Sequence, residues 1–213
     1  DMDNDGDMDI VSASSGDNTI AWYENDGDED DPSWSAVDIA TNATNAFSVF
    51  AADMDNDGDM DIVSASTNDN TIAWYENDGA SDPSWTAVDI ATNAEGARDV
   101  SVADMDNDGD MDIVSASTTD NNITWYENDG NANPSWTAEN IVTDAANVFS
   151  IFVADIDNDG DMDIVAALAG SNTIAWYANN AGIPEFPSIM MPIVSVLAIV
   201  GFNYRRRKIN QDE

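Results

Sequence analysis

Asp53-Met-Asp-Asn-Asp-Gly-Asp-Met-Asp61, running directly into Ile62-Val-Ser-Ala-Ser66, decides how this chain folds. Carboxylates fall at positions 1, 3, 5, 7 and 9 of the nine-residue phrase, and Gly58 at position 6 permits a sharp turn. The odd-numbered oxygens of such a loop converge on one point, which suits a hard, oxygen-binding cation the size of Ca²⁺. The same phrase starts at Asp1, Asp104 and Asp155, with Ile156 replacing Met in the last copy. The copies are spaced by 52, 51 and 51 residues. Self-similarity at a fixed period of this length marks a repeat architecture.

Composition agrees. The chain carries 43 acidic residues against five basic ones, with no His and no Cys, for a formal charge of −38. Twenty of the acids lie in the four loops, so about four bound Ca²⁺ would bring the charge only to −30 (−38 plus 8). Such a surface repels nucleic acid, and Arg98 is the single basic residue before Arg205. An isolated exposed charge of that kind contributes little by itself. With 43% hydrophobic residues, including seven Trp, the chain has the material for a packed core.

The repeat unit is regular. The first loop aspartate and the Trp of the Trp-Tyr pair are 21 residues apart in every copy, from Asp1–Trp22 to Asp155–Trp176. Each full period offers four strand-like runs. The first is Phe47–Ala52, with Val100–Ala103 and Val148–Ala154 as its later copies; the others are Ile62–Ser66, Thr71–Glu76 and Trp85–Ala91. Units start near residues 1, 47, 98 and 148, and no helical period appears before residue 185. Four short strands per ~51 residues is the arithmetic of a propeller blade. The expectation is an all-β, partial β-propeller of four-stranded blades, about three and a half of them, over residues 1–180. In each blade strand 1 is expected innermost and strand 4 at the rim. The Trp-Tyr pairs are expected to pack blade against blade.

The loop, followed by Ile-Val-Ser-Ala and then Ile-Ala-Trp-Tyr-Glu-Asn-Asp-Gly, resembles the FG-GAP/VCBS repeat, whose blades are related to the integrin α-subunit head. The resemblance implies a calcium-bound propeller in which loop side chains 1, 3, 5 and 9, with the carbonyl of 7, hold the ion. In this chain those are Asp1, Asp3, Asp5, Asp9 and Asp7; Asp53, Asp55, Asp57, Asp61 and Asp59; Asp104, Asp106, Asp108, Asp112 and Asp110; and Asp155, Asp157, Asp159, Asp163 and Asp161. An EF-hand fails, because position 12 is Ser12, Ser64, Ser115 or Ala166 where a bidentate Glu is required.

The chain opens inside a loop and its last unit stops after strand 3 at Tyr177, so residues upstream of Asp1 are expected to supply that unit's outer strand. Residues 181–188 read as a linker bearing Pro184-Glu-Phe-Pro187, 189–204 as one transmembrane helix, and 205–213 as a basic cytoplasmic tail opening with Arg205-Arg-Arg-Lys208. Together these resemble PEF-type archaeal C-terminal sorting tails, which implies a surface protein handled at the membrane by sorting machinery. No residue pattern points to catalysis, since His and Cys are absent and Glu24, Glu76 and Glu127 recur as repeat features. The expected role is a non-catalytic, cell-surface propeller that binds a glycan or protein ligand. The alternatives are a non-catalytic part of a secreted carbohydrate-active enzyme and an architectural coat component.

Overall fold

The computed structural model describes residues 1–28, 30–179 and 188–189. It contains four antiparallel sheets arranged in chain order, and no helix occurs among the described residues. The first sheet is β1 (Ile10–Ser14), β2 (Thr19–Asn25) and β3 (Trp34–Ala40). The second is β4 (Ala46–Ala52), β5 (Asp61–Ser66), β6 (Thr71–Asn77) and β7 (Trp85–Ala91). The third is β8 (Ala97–Ala103), β9 (Asp112–Ser117), β10 (Asn122–Asn128) and β11 (Trp136–Val142). The fourth is β12 (Val148–Ala154), β13 (Asp163–Leu168), β14 (Thr173–Tyr177) and β15 (Ser188–Ile189). In the full sheets each strand pairs with the next in sequence, a meander in which the first and fourth strands form the two edges.

The first strands β4, β8 and β12 lie beside one another, whereas β3, β7 and β11 sit at the outer edge. This is the order read from the sequence. Every residue of β5 and β9 is buried, because neighbouring sheets cover both faces of these strands. A strand covered on both faces can be apolar or small throughout, which accounts for the run Asp-Ile-Val-Ser-Ala-Ser. The Trp-Tyr pairs divide between two interfaces. Trp74 packs toward the third sheet with Ile113 and Tyr126, while Tyr75 packs toward the first with Met2 and Ile20. Trp74 also meets Trp136 edge-on, with ring centroids 6.5 Å apart. At the fourth sheet Ile174 is 43% exposed, where its counterparts Ile72 and Ile123 are fully buried.

Two expectations change. The fourth sheet's outer place, expected to be supplied from upstream of Asp1, is occupied here by β15, where Ile189 pairs with Trp176 and Ser188 with Tyr177. The strand read as Val100–Ala103 begins at Ala97, because Arg98 and Asp99 find partners that a charge-averse reading does not anticipate. A bulge interrupts the ladder at Phe47, Arg98 and Phe149, the second residue of each first strand. Bulges re-aim side chains. Here the Arg98 guanidinium lies 4.0 Å from the Phe47 ring centroid and 3.6 Å from that of Phe149. Asp99 accepts hydrogen bonds from Ser48 Oγ (2.8 Å), Ser150 Oγ (2.7 Å) and the Ile151 amide (2.8 Å). Arg98 is therefore no ordinary surface charge: with Asp99 it ties three inner strands together.

Of the tail, only Ser188 and Ile189 are described; the other residues of the linker, the expected membrane helix and the basic segment lie outside the described residues. Among the described residues no helix is long and apolar enough to cross a membrane.

Candidate metal centre

Each acidic phrase forms the turn between the first two strands of a sheet, or leads into β1 in the first unit. In the second loop Asn56 (φ 61°) and Gly58 (φ 99°) both adopt left-handed backbone, which compresses the loop into a tight coil. The side chains then fold back on the backbone. Asp53 accepts from the amides of Asp57 (3.1 Å) and Gly58 (3.0 Å), and Asp57 accepts from the Asp59 amide (2.9 Å). The third loop repeats this set at Asp104 and Asp108.

The coil gathers carboxylates. Ligand oxygens of Asp1, Asp3 and Asp5 all lie within 4.8 Å of one another, as do those of Asp53, Asp55 and Asp57 and of Asp104, Asp106 and Asp108. In the fourth loop the group is Asp155, Asp157 and Asp163. Oxygens bound to one Ca²⁺ at about 2.4 Å can be no more than about 4.8 Å apart, a limit that each group meets. Gathering them has an electrostatic cost. Burial, then the neighbouring charges of Asp57 and Asp53, raise the carboxyl pKa of Asp55, and Asp106 behaves likewise beside Asp108 and Asp104. A divalent cation would reverse that cost.

Loop position 9 has a second task. Both oxygens of Asp61 are taken by backbone amides, those of Met54 (3.1 Å) and Asn77 (2.8 Å). Asp9, Asp112 and Asp163 make the equivalent pair of bonds. These carboxylates lock the two ends of the loop to the turn after the third strand. Asp61 and Asp112 are 1% exposed, and burial pushes Asp61 up to about 7 and Asp112 up to about 6 against the hydrogen bonds that oppose it. The structure thus groups positions 1, 3 and 5 in the first three loops and brings position 9 into the group only in the fourth.

Position 7 faces sideways. The Asp59 carboxylate accepts from Asn4 Nδ2 of the preceding loop at 2.5 Å, Asp110 from Asn56 at 2.6 Å, and Asp161 from Asn107 at 2.7 Å. Adjacent loops are therefore linked edge to edge. The glycine of the Asn-Asp-Gly turn lies against the same carboxylate, and a Cβ on Gly79 would fall 2.0 Å from Asp59 Oδ2.

Two residue types escaped the sequence reading. The side-chain amide of Asn77 donates to the Met2 carbonyl of the preceding unit (2.7 Å) and to Met60 (3.1 Å), and Asn128 and Asn179 reach Met54 and Met105 in the same way (2.8 Å each). Their signal was present, since each follows its position-9 aspartate by 16 residues, and Asn179 keeps that spacing although Glu and Gly are lost around it. Position 2 is the other. Met2, Met54 and Met105 are at most 3% exposed, each plugged between its own sheet and the next.

One three-stranded and three four-stranded meanders stacked in series, the latter each with an acidic coil between the first two strands, define a repeat protein built from propeller-type blades. The sequence matches the FG-GAP-like repeat over residues 1–64, 53–115 and 106–166, and the chain belongs to that family. FG-GAP-like repeats are a non-catalytic repeat family, typical of extracellular and surface proteins. No curated protein matches the chain.

Proposed function

We propose that this chain is a cell-surface propeller segment whose acidic coils hold about four structural Ca²⁺ ions, and that it serves in adhesion by binding a glycan or protein ligand. The observation that carries the reading is the recurrence, at the same turn of successive sheets, of three carboxylates with oxygens within 4.8 Å. Asp1, Asp3 and Asp5, their counterparts in the second and third loops, and Asp155, Asp157 and Asp163 in the fourth would supply the side-chain oxygens. The carbonyl of position 7 and water complete a calcium shell of six to eight oxygens. Each ion would offset two of the five charges in the coil joining the first and second strands, so blade geometry would follow external calcium.

The coils occupy one end of every sheet, which leaves the turns between second and third strands, and the connections from fourth to first strands, to form the opposite end. That end carries fewer carboxylates and is the surface offered to a ligand. Residues 189–204, apolar apart from Ser195 and Asn203 and followed by Arg205–Lys208, supply the membrane anchor or sorting signal in this reading. The test is twofold. Metal analysis of the chain after equilibration in calcium should find about four ions, and immobilised chain should retain cells in calcium but release them in chelator. A calcium content near zero, or adhesion unchanged by chelation, contradicts the reading.

A further inference from the structure

The four units are near-copies, so a position where one departs from the rest is informative. At the start of the third strand, three units read Thr-Ile-Ala-Trp-Tyr, as Thr19–Tyr23, Thr71–Tyr75 and Thr173–Tyr177. The third unit reads Asn122-Ile-Thr-Trp-Tyr126. In its fourth strand Asn140 stands where Asp38 and Asp89 stand in the first two units. These departures are neighbours in space. Thr124 pairs across the ladder with Asn140, where the other units pair Ala21 with Asp38 and Ala73 with Asp89. Thr124 Oγ1 donates to Asn140 Oδ1 at 2.8 Å. Asn122 pairs with Ser117, which is 1% exposed and whose buried hydroxyl has no hydrogen-bond partner among the described residues.

All four of these residues line one cleft of about 280 Å³ between the second and third sheets, at the end away from the acidic coils. Asn93 and Asp120 complete its polar side, and Ile90 and Ala94 contribute an apolar wall. Asp120 is a fixed acceptor, since its Oδ2 takes the Glu95 amide at 2.9 Å. No cation lines the cleft, and Asp120 is its one carboxylate. An anionic ligand is therefore disfavoured, and a metal ion lacks donors. Carboxamides and hydroxyls both donate and accept, as do the hydroxyls of a sugar, while the apolar wall suits the C–H face of a sugar ring. The volume lies just under the usual ligand-pocket range of about 300–1,000 Å³, which suits a single sugar unit.

We propose that this cleft is a neutral-saccharide site, created in the third unit by Asn122, Thr124 and Asn140. The inference rests on the surface-binding role proposed above and places the ligand site within it. The test reverts the third unit to its siblings with the triple variant Asn122→Thr, Thr124→Ala, Asn140→Asp. That variant is expected to fold with an unchanged melting temperature, because the first two units carry those residues in the same ladder. Wild-type chain in calcium is applied to an array of neutral and acidic glycans, and the affinity for each retained oligosaccharide is then measured by titration calorimetry. The expected result is retention of neutral glycans with affinity at least about tenfold weaker in the triple variant, since at least two hydrogen bonds are lost. The single variant Thr124→Val, which removes only the hydroxyl, should weaken binding severalfold. A neutral glycan bound equally by wild type and triple variant overturns the site but leaves the surface role standing. Retention of acidic glycans only, or of none, overturns the site as well, and the cell-retention assay then decides the surface role independently.

Discussion

Removing calcium should invert the pH dependence of stability. In the metal-free chain Asp61 ionises at about 7 and Asp112 at about 6, against 3.8 when exposed. At 1.36 kcal/mol for each tenfold change in proton affinity, the ionised forms cost about 4 kcal/mol at Asp61 and about 3 kcal/mol at Asp112. Between about pH 4 and pH 7 the native chain thus holds protons that the unfolded chain has released. Stability is then present at the acid end of that window and falls as pH rises through it. Calcium acts in the opposite sense through positions 1, 3 and 5, because it binds their ionised carboxylates, among which Asp55 and Asp106 are raised by burial and neighbouring charge. At a hundredfold excess over Kd each site gains about 2.7 kcal/mol, and a chain of this size gains roughly 2–4 °C in melting temperature per kcal/mol. Each filled site should therefore raise Tm by about 5–10 °C at pH 7. Scanning calorimetry at pH 5 and pH 7, in calcium and in chelator, reads the effect. Metal-free chain should melt lower at pH 7 than at pH 5, and the calcium-dependent gain should be larger at pH 7. Asp61→Asn, which removes one of the two titrations, should flatten the metal-free slope. Coincident melting curves with and without calcium, or metal-free Tm rising from pH 5 to pH 7, would refute the reasoning.

Asp57→Ala should remove about one ion per chain by metal analysis, whereas Asp59→Ala should keep the ion count and cost about 1 kcal/mol through the lost Asn4 contact. Equal ion loss in both variants would make position 7 a side-chain ligand. Gly79→Ala should destabilise by about 1–3 kcal/mol in urea titrations, because φ is +67° and the new Cβ meets Asp59 Oδ2. Asp99→Ala should cost about 2–4 kcal/mol by releasing two serine hydroxyls and the Ile151 amide, and Arg98→Ala about 1–2 kcal/mol from two ring stacks. A melting temperature unchanged in both variants would show that the inner strands hold together without them.

Blade order was readable because the small, apolar first strand Val100–Ala103 differs so plainly in composition from the wet Trp85–Ala91 edge. The acidic coils were readable because their spacing is chemical as well as regular. Harder to see were contacts that cross from one unit to the next. Asn77 looked like a turn residue because Asn-Asp-Gly is turn chemistry, yet its side chain serves the preceding sheet. Arg98 and Asp99 looked like loop residues because charges are uncommon on inner strands, yet a bulge and two phenylalanines give the cation a place. The two roles of position 9 were not separable by spacing, since a carboxylate that binds amides and one that binds metal look alike in sequence.

The asparagine that reaches back to the preceding methionine carbonyl has the same sense at all three junctions, from Asn77, Asn128 and Asn179. Each junction is a plug meeting a socket, never two plugs. The asparagine contact itself sets no order among units, and excising one period, such as residues 53–103, would join Ala52 to Asp104 with plug and socket still matched but without the Arg98 and Asp99 contacts. Such a chain can lengthen or shorten by whole modules during gene copying without redesign of a core. Its energetics should then be those of a one-dimensional array, with each removal deleting one module and one junction.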